Sequence, residues 1–296
     1  VHFIAGWHDF FLQATLNDYA TQRTAGQSPR LTIGAWQHFN NLNGLLTGLG
    51  TGLAWFDQHL QGRTHDDANE QPVQLYVMGA QRWQGLSHYP PATQHRNIAL
   101  QPDAHDHTPD THRLVFDPQN PPPFIGGAQF TFDLQSFKDQ HAIMQRPDTF
   151  VFTSPTFTEP TTIIGKPRVH LTISQPSPHH ALAVRLCAIR TNGSIINICD
   201  GYVRLPDSMQ KSIITCELWD TAYEFGVGEA LAIIVTGGAY PHWVPRDDWD
   251  KQNLQLRTVN LHPSASNSAE LPVFTAEKTH KVRTMRPQAE QGAFHH

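Results

Sequence analysis

The chain has 296 residues, of which 39% are hydrophobic and 16% are charged, and its formal net charge at pH 7 is −5, a composition typical of a folded protein with a sizeable core. It lacks the basic surface that nucleic-acid binding requires, and no run approaches the ~20 apolar residues of a membrane helix, so we expect neither nucleic acid nor a membrane as partner. The three cysteines form no C-x-x-C pair, which argues against a zinc or redox motif and against a disulfide framework.

The first 62 residues alternate between strand and helix patterns. The apolar run Val1–Gly6 predicts a strand buried on both faces. Apolar residues at helical spacing over 10–19 predict a helix, and Leu31–Gly34 predicts a second strand. After a glycine-rich stretch, residues 53–62 show helical spacing again and end on a glycine. The strand, helix, strand order predicts two parallel strands of an α/β sheet.

From Val73 onward the pattern changes to short β-prone runs separated by Pro, Gly, Asn and Asp. These runs are 73–78, 113–116, 149–153, 162–164, 169–173, 182–189, 194–198, 212–218, 230–235 and 254–259. Many short strands with such turns predict an antiparallel sandwich or jelly roll. The polar segment before Val73 predicts a boundary near residues 65–72, which divides the chain into an α/β portion, 1–70, and an all-β domain, 71–296.

Asp9 and His38 follow the two predicted parallel strands. Because the carboxyl ends of parallel strands lie at one edge of a sheet, where open α/β sheets bind ligands, we expect these side chains to lie close together. A carboxylate beside an imidazole fixes its tautomer and stabilises the imidazolium that forms when the ring accepts a proton from a nucleophile. Asp9 would then orient the ring and His38 would act as general base and acid. The alternative is that both are solvated loop residues, because two residues alone are a weak signal.

Other residues near this pair have more than one interpretation. Trp7 and Trp36 flank it, and they either line an acyl pocket or belong to the core. His8 is a second candidate for the base, but a position next to Asp9 makes mutual orientation of the two side chains awkward. The segment 103–112 is rich in Asp and His, which are ligands for divalent ions; since nothing pre-orders them, we interpret it as a polar loop and expect no metal site.

The segments that hold the pair resemble those of a known family. Gly6–Asp9 (GWHD) and Ile33–His38 (IGAWQH) are similar to the GW-aromatic-D and IGPW-x-H segments that carry the triad acid and histidine of CocE/NonD serine hydrolases. The resemblance continues through residues 55–62, 76–79, 83, 116–118, 121–127, 139–140, 146–148 and 271–273. It implies a fold class of α/β fragment plus all-β: the C-terminal piece of an α/β-hydrolase sheet followed by a jelly-roll, galactose-binding-like β-sandwich.

The same resemblance implies a serine hydrolase that cleaves acyl ester or X-Pro-type peptide bonds by a Ser-His-Asp triad, without metal or organic cofactor. Its substrate would be a small ester or peptide. Position 8 is His where the family usually has an aromatic residue, and position 35 is Ala where it usually has Pro.

The nucleophile is the main departure from the family pattern. The sequence contains no G-x-S-x-G elbow, and Gly85–Tyr89 lacks the second glycine and follows His38. We therefore expect this chain to supply only the acid and the histidine, to be inactive alone, and to act with the missing N-terminal part of the same protein. The alternative is a non-catalytic β-sandwich binding module with a remnant hydrolase segment.

Overall fold

The computed structural model describes residues 1–38, 42–63, 71–103, 112–129, 135–175, 181–206, 209–243 and 257–275. The first elements are β1 (His2–His8), α1 (Leu12–Thr24), β2 (Arg30–Gln37), α2 (Leu42–Gln61), β3 (Val73–Val77) and β4 (Arg82–Leu86). They are followed by β5 (Gln94–Ala99), β6 (Gln101–Pro102), β7 (His112–Phe116), α3 (His141–Met144), β8 (Thr149–Thr153), β9 (Thr161–Gly165), β10 (Arg168–Gln175), β11 (Ala181–Ile189), β12 (Ile195–Arg204), β13 (Met209–Glu217), β14 (Thr221–Phe225), β15 (Ala230–Thr236), β16 (Arg257–Leu261) and β17 (Ser268–Val273).

The first sheet has the strand order β1-β2-β3-β4. β1, β2 and β3 run parallel, and β4 pairs antiparallel with β3. α1 connects β1 to β2 and buries Leu12, Leu16 and Tyr19, whose spacing places them on one face of the helix. This apolar face explains why the segment is helical, and it lies against the sheet in the main core.

The strand at Val73–Val77 belongs to this first sheet, although we expected it to begin the second domain. Its residues Val73–Leu75 pair in parallel register with Leu31–Ile33 of β2. All five of its residues are buried, as in a strand covered on both faces. Hydrophobic pattern predicts such a strand but cannot say which sheet it joins, and the hydrogen bonds carry the first sheet beyond residue 70, as far as Leu86.

The remaining strands form two antiparallel sheets. One has the order β14-β9-β17-β10-β16-β7, with β13 also paired to β10 and β5 to β17; the other has the order β12-β11-β15-β8-β6. Apolar residues of both sheets, such as Leu171, Leu186 and Ile233, share one buried cluster. The chain is therefore rich in β structure, as predicted, while the jelly-roll connectivity stays a prediction.

Two groups of elements differ from the sequence-based expectations. The predicted strands that fall in described ranges agree with the structure within a few residues, but β4, β5, β6, β14 and β17 were not predicted. β5 is mostly polar and exposed, and β17 contains Pro272, so neither has the pattern of a buried strand. α2 begins at Leu42 and includes the glycine-rich stretch, where interspersed leucines maintain the helix despite the ~1 kcal/mol cost of each glycine.

One side of α2 is apolar and exposed. The residues concerned are Leu45, Leu46, Leu49, Leu53, Phe56 and Leu60, each more than half exposed, and their spacing places them in a single stripe along the helix. We call this set the α2 stripe. No helix within the described ranges has the length and apolar character needed to cross a membrane.

The two antiparallel sheets, which share one buried cluster, are called the sandwich below. The first sheet is joined to it by hydrogen bonds as well as by the chain. Met78, directly after β3, donates its amide to Ala222 O at 2.9 Å and accepts from the amide of Glu224 at 2.8 Å. Arg82 of β4 forms an ion pair with the Glu224 carboxylate at 3.0 Å. These contacts attach the β3–β4 turn to β14, so that the sheet carrying Asp9 and His38 packs directly on the β domain.

Candidate active site

Asp9 and His38 lie at the carboxyl ends of neighbouring strands. β1 and β2 pair in parallel register from His2↔Arg30 to Gly6↔Gly34, and the register then shifts so that His8 opposes Gln37. Such an irregularity re-aims the residues that follow it and is common beside active sites. Asp9 and His38 are the residues that directly follow the two strands.

The two side chains are in contact, as predicted. His38 Nδ1 lies 3.2 Å from Asp9 Oδ2, with 38% of the histidine side chain and 12% of the aspartate side chain exposed. The other carboxylate oxygen, Oδ1, accepts a hydrogen bond from the amide of Phe11 at 2.9 Å. One oxygen of Asp9 thus accepts a main-chain hydrogen bond and the other contacts the imidazole, and more than a third of the histidine side chain is exposed.

Two aromatic rings border His38. The ring centroid of Phe10 is 4.7 Å from that of His38, and the centroid of Phe11 is 5.2 Å away. Phe11 is about half exposed, which is unusual for a phenylalanine and leaves an apolar surface next to the imidazole. Sequence reasoning assigned both to the start of a helix; their position directly after the acid is the signal that could have identified them.

Trp7 and Trp36, which belong to β1 and β2, are both buried. Trp7 is 3% exposed and donates its indole N–H to Tyr76 O at 2.7 Å. Trp36 is 4% exposed and lies over Gly6 and Gly34, where the absence of a Cβ makes room for its indole. Its ring centroid is 6.3 Å from that of Trp83. Both tryptophans pack in the core in this structure, and a role in substrate contact stays a prediction.

His8 points away from the pair. Its ring is buried, and Nε2 lies 3.1 Å from Ile198 O in β12. Burial lowers the pKa of His8 from 6.5 to about 4, and the nearby charge of Arg185 lowers it further. The Ile198 hydrogen bond and Asp200 act in the opposite direction and offset part of this shift. The ring is therefore neutral near pH 7, and its hydrogen bond is to the sandwich.

The sandwich also contains charged groups that sequence reasoning did not identify. Arg185 of β11 forms an ion pair with Asp200 of β12, and both side chains are more than nine-tenths buried. Asp220 accepts a hydrogen bond from the Tyr89 hydroxyl at 2.6 Å, and burial raises the pKa of its carboxyl above the ordinary value. A charged residue inside an apolar strand pattern, as at Arg185, was the available signal.

A cleft of about 560 Å³ lies at a different place in the molecule. It is lined by β4, by the segment 87–94 and by the end of β17. Within the described ranges, no three His, Cys, Asp or Glu side chains form a group that could hold a metal ion. Most of the Asp- and His-rich segment 103–112 falls outside those ranges, so its interpretation as a polar loop is not tested.

Comparisons with known proteins identify the family. The family model described as the X-Pro dipeptidyl-peptidase C-terminal non-catalytic domain matches residues 66–290. The chain is 26% identical to the cocaine esterase of Rhodococcus sp. (strain MB1 Bresler) over 233 residues, which are 68% of this chain and 40% of that protein.

Two solved structures show the same fold. An α-amino acid ester hydrolase superposes with a TM-score of 0.75 at 19% identity, covering 92% of this chain and 55% of its own. A CocE/NonD family hydrolase from Staphylococcus aureus superposes with a TM-score of 0.63 at 13% identity, covering 93% and 54%. The chain thus spans 40% to 55% of the length of these relatives. It belongs to the family of the X-Pro dipeptidyl-peptidase C-terminal non-catalytic domain and corresponds to the C-terminal part of a CocE/NonD-type protein.

Proposed function

We propose that this chain supplies the acid and the histidine of a Ser-His-Asp triad in a serine hydrolase that cleaves a small acyl ester or an X-Pro-type peptide. The observation that carries the proposal is the 3.2 Å contact between His38 Nδ1 and Asp9 Oδ2 at the carboxyl ends of two parallel strands. The cocaine esterase and α-amino acid ester hydrolase relatives support an ester substrate, and the X-Pro dipeptidyl-peptidase family supports a peptide.

In this proposal each reacting atom of the pair has a role. A proton on Nδ1 of His38, facing the Asp9 carboxylate, leaves Nε2 as the basic nitrogen. Nε2 would take the proton of the serine hydroxyl as that oxygen attacks the acyl carbon, and would return it to the leaving alcohol or amine. Asp9 would hold the ring in this tautomer and stabilise the imidazolium. A water molecule activated in the same way would release the acid and restore the serine.

Ser87 lies in the segment Gly85–Tyr89, which resembles an incomplete nucleophile elbow, but it is at the opposite end of the sheet from Asp9 and His38. Leu86, the residue before it, pairs with Val73 at the start of β3, and Val73 pairs with Leu31 near the start of β2. Ser87 therefore lies at the amino ends of the parallel strands, whereas Asp9 and His38 lie at their carboxyl ends. We therefore propose that the nucleophile of the triad comes from a part of the protein outside this sequence.

Two surfaces support the presence of such a part. β1 is an edge strand, and within the described ranges no strand pairs with its outer edge. The α2 stripe exposes six large apolar side chains on the helix that follows the catalytic pair. Unpaired parallel edges and apolar stripes of this size are usually covered in a folded protein. A serine-bearing half that continues the sheet beyond β1 would cover both.

Covalent labelling tests the proposal. The intact mass of the natural protein is measured first, and the protein is then treated with a fluorophosphonate, which modifies activated serines. We expect a single labelled serine outside this sequence, with labelling slowed by His38→Gln and by Asp9→Asn. His88→Gln, which changes the histidine next to Ser87, is the matched control and should leave the rate unchanged. A natural protein that does not label, or labelling that is indifferent to His38, would overturn the proposal.

A non-catalytic binding module is the second candidate. The observation that favours it is the extent of the family match: residues 66–290 correspond to a domain described as non-catalytic, and Asp9 and His38 lie before it. In this reading residues 1–62 are a remnant that packs on the sandwich. An unlabelled natural protein of about the size of this chain, 33.3 kDa, would favour this candidate.

A further inference from the structure

The segment that carries the acid is attached to the β-sandwich at both of its ends. We call residues 8–13, from the end of β1 to the first turn of α1, the acid loop. At its start, His8 Nε2 reaches Ile198 O of β12 at 3.1 Å, across 190 residues of sequence. Asp9, between the two attachments, bonds its amide to Gly6 O at 3.1 Å and accepts from the amide of Leu12 at 2.9 Å.

The second attachment is at Gln13. With its amide oriented so that both groups are satisfied, the Gln13 nitrogen donates to Asp220 Oδ2 at 3.1 Å and its oxygen accepts from the amide of Asp220 at 3.2 Å. Asp220 lies between β13 and β14 and is itself held by Tyr89 at 2.6 Å and by Lys166 at 3.9 Å. The sandwich therefore offers a fixed anchor on each side of Asp9.

The hydrogen bond donated by His8, and not its ring packing, is what distinguishes the imidazole from a phenylalanine ring at this position. The carbonyl of Ile198 can only accept, so Nε2 must carry the proton and the buried Nδ1 carries none. Within the described part of the chain Nδ1 has no hydrogen-bond partner, and burying such a polar atom is unfavourable. The ring also packs edge-on against Phe137 at 4.6 Å, a contact that a phenylalanine would make without this cost. What the imidazole adds is the N–H group donated to β12.

We infer that His8 is a positioning residue for the Asp9–His38 pair. Its hydrogen bond to β12 fixes the acid loop, so that the β-sandwich sets the position of the Asp9 carboxylate. The inference rests on the proposed function and assigns a task to the domain that the family describes as non-catalytic. Catalytic groups must be held within about 0.5 Å of their productive positions, and the 3.2 Å contact between Asp9 and His38 is sensitive to shifts of that size.

Amide hydrogen exchange measures how firmly the hydrogen bond of His8 holds the acid loop, and it does not require enzymatic activity. The variants are His8→Phe, which keeps the ring contact and removes the donor, and His8→Gln, which restores an N–H near the position of Nε2. The matched control is His2→Phe, at the other end of the same strand, where the ring contacts Thr32 Oγ1 at 2.9 Å. The reporters are the amides of Phe11 and Leu12, which both bond to Asp9.

We expect His8→Phe to speed exchange of these two amides about tenfold, the effect of one lost hydrogen bond, with little change in β11 and β15. His8→Gln should recover most of the protection, and His2→Phe should leave the acid loop unaffected. Unchanged exchange at Phe11 and Leu12 in His8→Phe would overturn the inference. So would a rise of equal size in β11 and β15, which would make His8 a general contributor to stability.

The labelling rate of the natural hydrolase completes the test. If His8 positions the acid, His8→Phe slows modification of the serine by the fluorophosphonate and His8→Gln restores it, at unchanged thermal stability of the three proteins. A labelling rate that ignores His8 while responding to His38 overturns the inference and leaves the proposed function intact. Absence of labelling in the unchanged protein overturns the proposed function, even where hydrogen exchange shows that His8 holds the acid loop.

Discussion

Arg185 and Asp200 face each other across β11 and β12 and form an ion pair in the interior of the sandwich. The guanidinium also donates to Ile125 O and to Gln140 Oε1 and lies 4.5 Å from the ring centroid of Phe124. Two charges at this depth are favourable only while each compensates the other, since removal of one leaves a buried charge without a counter-ion. Asp200 lies on the same strand, β12, as Ile198, the acceptor of the His8 hydrogen bond.

Arg185→Met should therefore lower the free energy of unfolding by about 3–5 kcal/mol, because Asp200 stays buried without its partner. Urea unfolding at pH 7 measures the change. The double variant Arg185→Met/Asp200→Leu should recover a large part of the loss, because no charge remains. A loss below about 1 kcal/mol in the single variant would show that Asp200 finds another partner or reaches water.

Acid should destabilise the protein through His8. The pKa of His8 is about 4 in the folded chain against 6.5 for an ordinary histidine, so the unfolded chain takes up the proton first as the pH falls. The corresponding stability is present above pH 6.5 and is lost as the pH falls to about 4, and at 1.36 kcal/mol per pKa unit it is on the order of 3 kcal/mol. Urea unfolding of the unchanged chain and of His8→Phe between pH 7 and pH 4.5 checks this. The variant should lose less stability over that range; parallel curves would contradict a buried neutral His8.

If the proposed function holds, Asp9→Asn should reduce turnover of the complete protein about 10⁴-fold with little change in KM, because an amide favours the wrong tautomer of His38 without altering the fold. Steady-state kinetics with an activated acyl ester provide the measurement. Asp18→Asn, on the exposed face of α1, is the matched control and should leave kcat unchanged. Equal effects of the two substitutions would show that Asp9 is not the triad acid.

Gly34→Ala should destabilise the first sheet, because a Cβ at this position would overlap the six-membered ring of Trp36. Overpacking of this kind costs about 1–3 kcal/mol, and Trp36→Leu in the same chain should recover part of it. Gly48→Ala in α2 is the control, since its nearest neighbour would be Ile4 Cδ1 at 3.6 Å; it should stabilise by about 0.5–1 kcal/mol. Thermal unfolding of the three variants distinguishes the two signs.

The first elements of this chain, studied alone, should exchange their amide hydrogens faster than the sandwich does. We expect weaker protection in β1 and α2 than in β11 and β15, because no strand of the described ranges pairs with the outer edge of β1 and the α2 stripe is exposed. β2, which has β1 and β3 on its two sides, should be better protected than β1. Protection in residues 1–62 as strong as in residues 72–275 would contradict the proposal that a further part of the protein covers this region.

Local sequence was sufficient to predict where the candidate pair lies. Asp9 and His38 are 29 residues apart, and a strand, helix, strand unit brings the carboxyl ends of its strands together whatever surrounds it. The same local patterns predicted most of the strands of the sandwich. They failed for β5, which is polar because it lies exposed at the surface and is stabilised by its pairing with β17.

By itself, then, the sequence determined the β-rich character of the chain, its first parallel strands and the neighbouring positions of Asp9 and His38, because each of these depends on periodicity and short connections. Only the tertiary structure decided that Val73–Val77 joins the first sheet, that His8 bonds to a strand 190 residues away, and that Arg185 and Asp200 share the interior of the sandwich. Those contacts join distant segments, and their energy depends on how all the intervening elements pack, which no local pattern records.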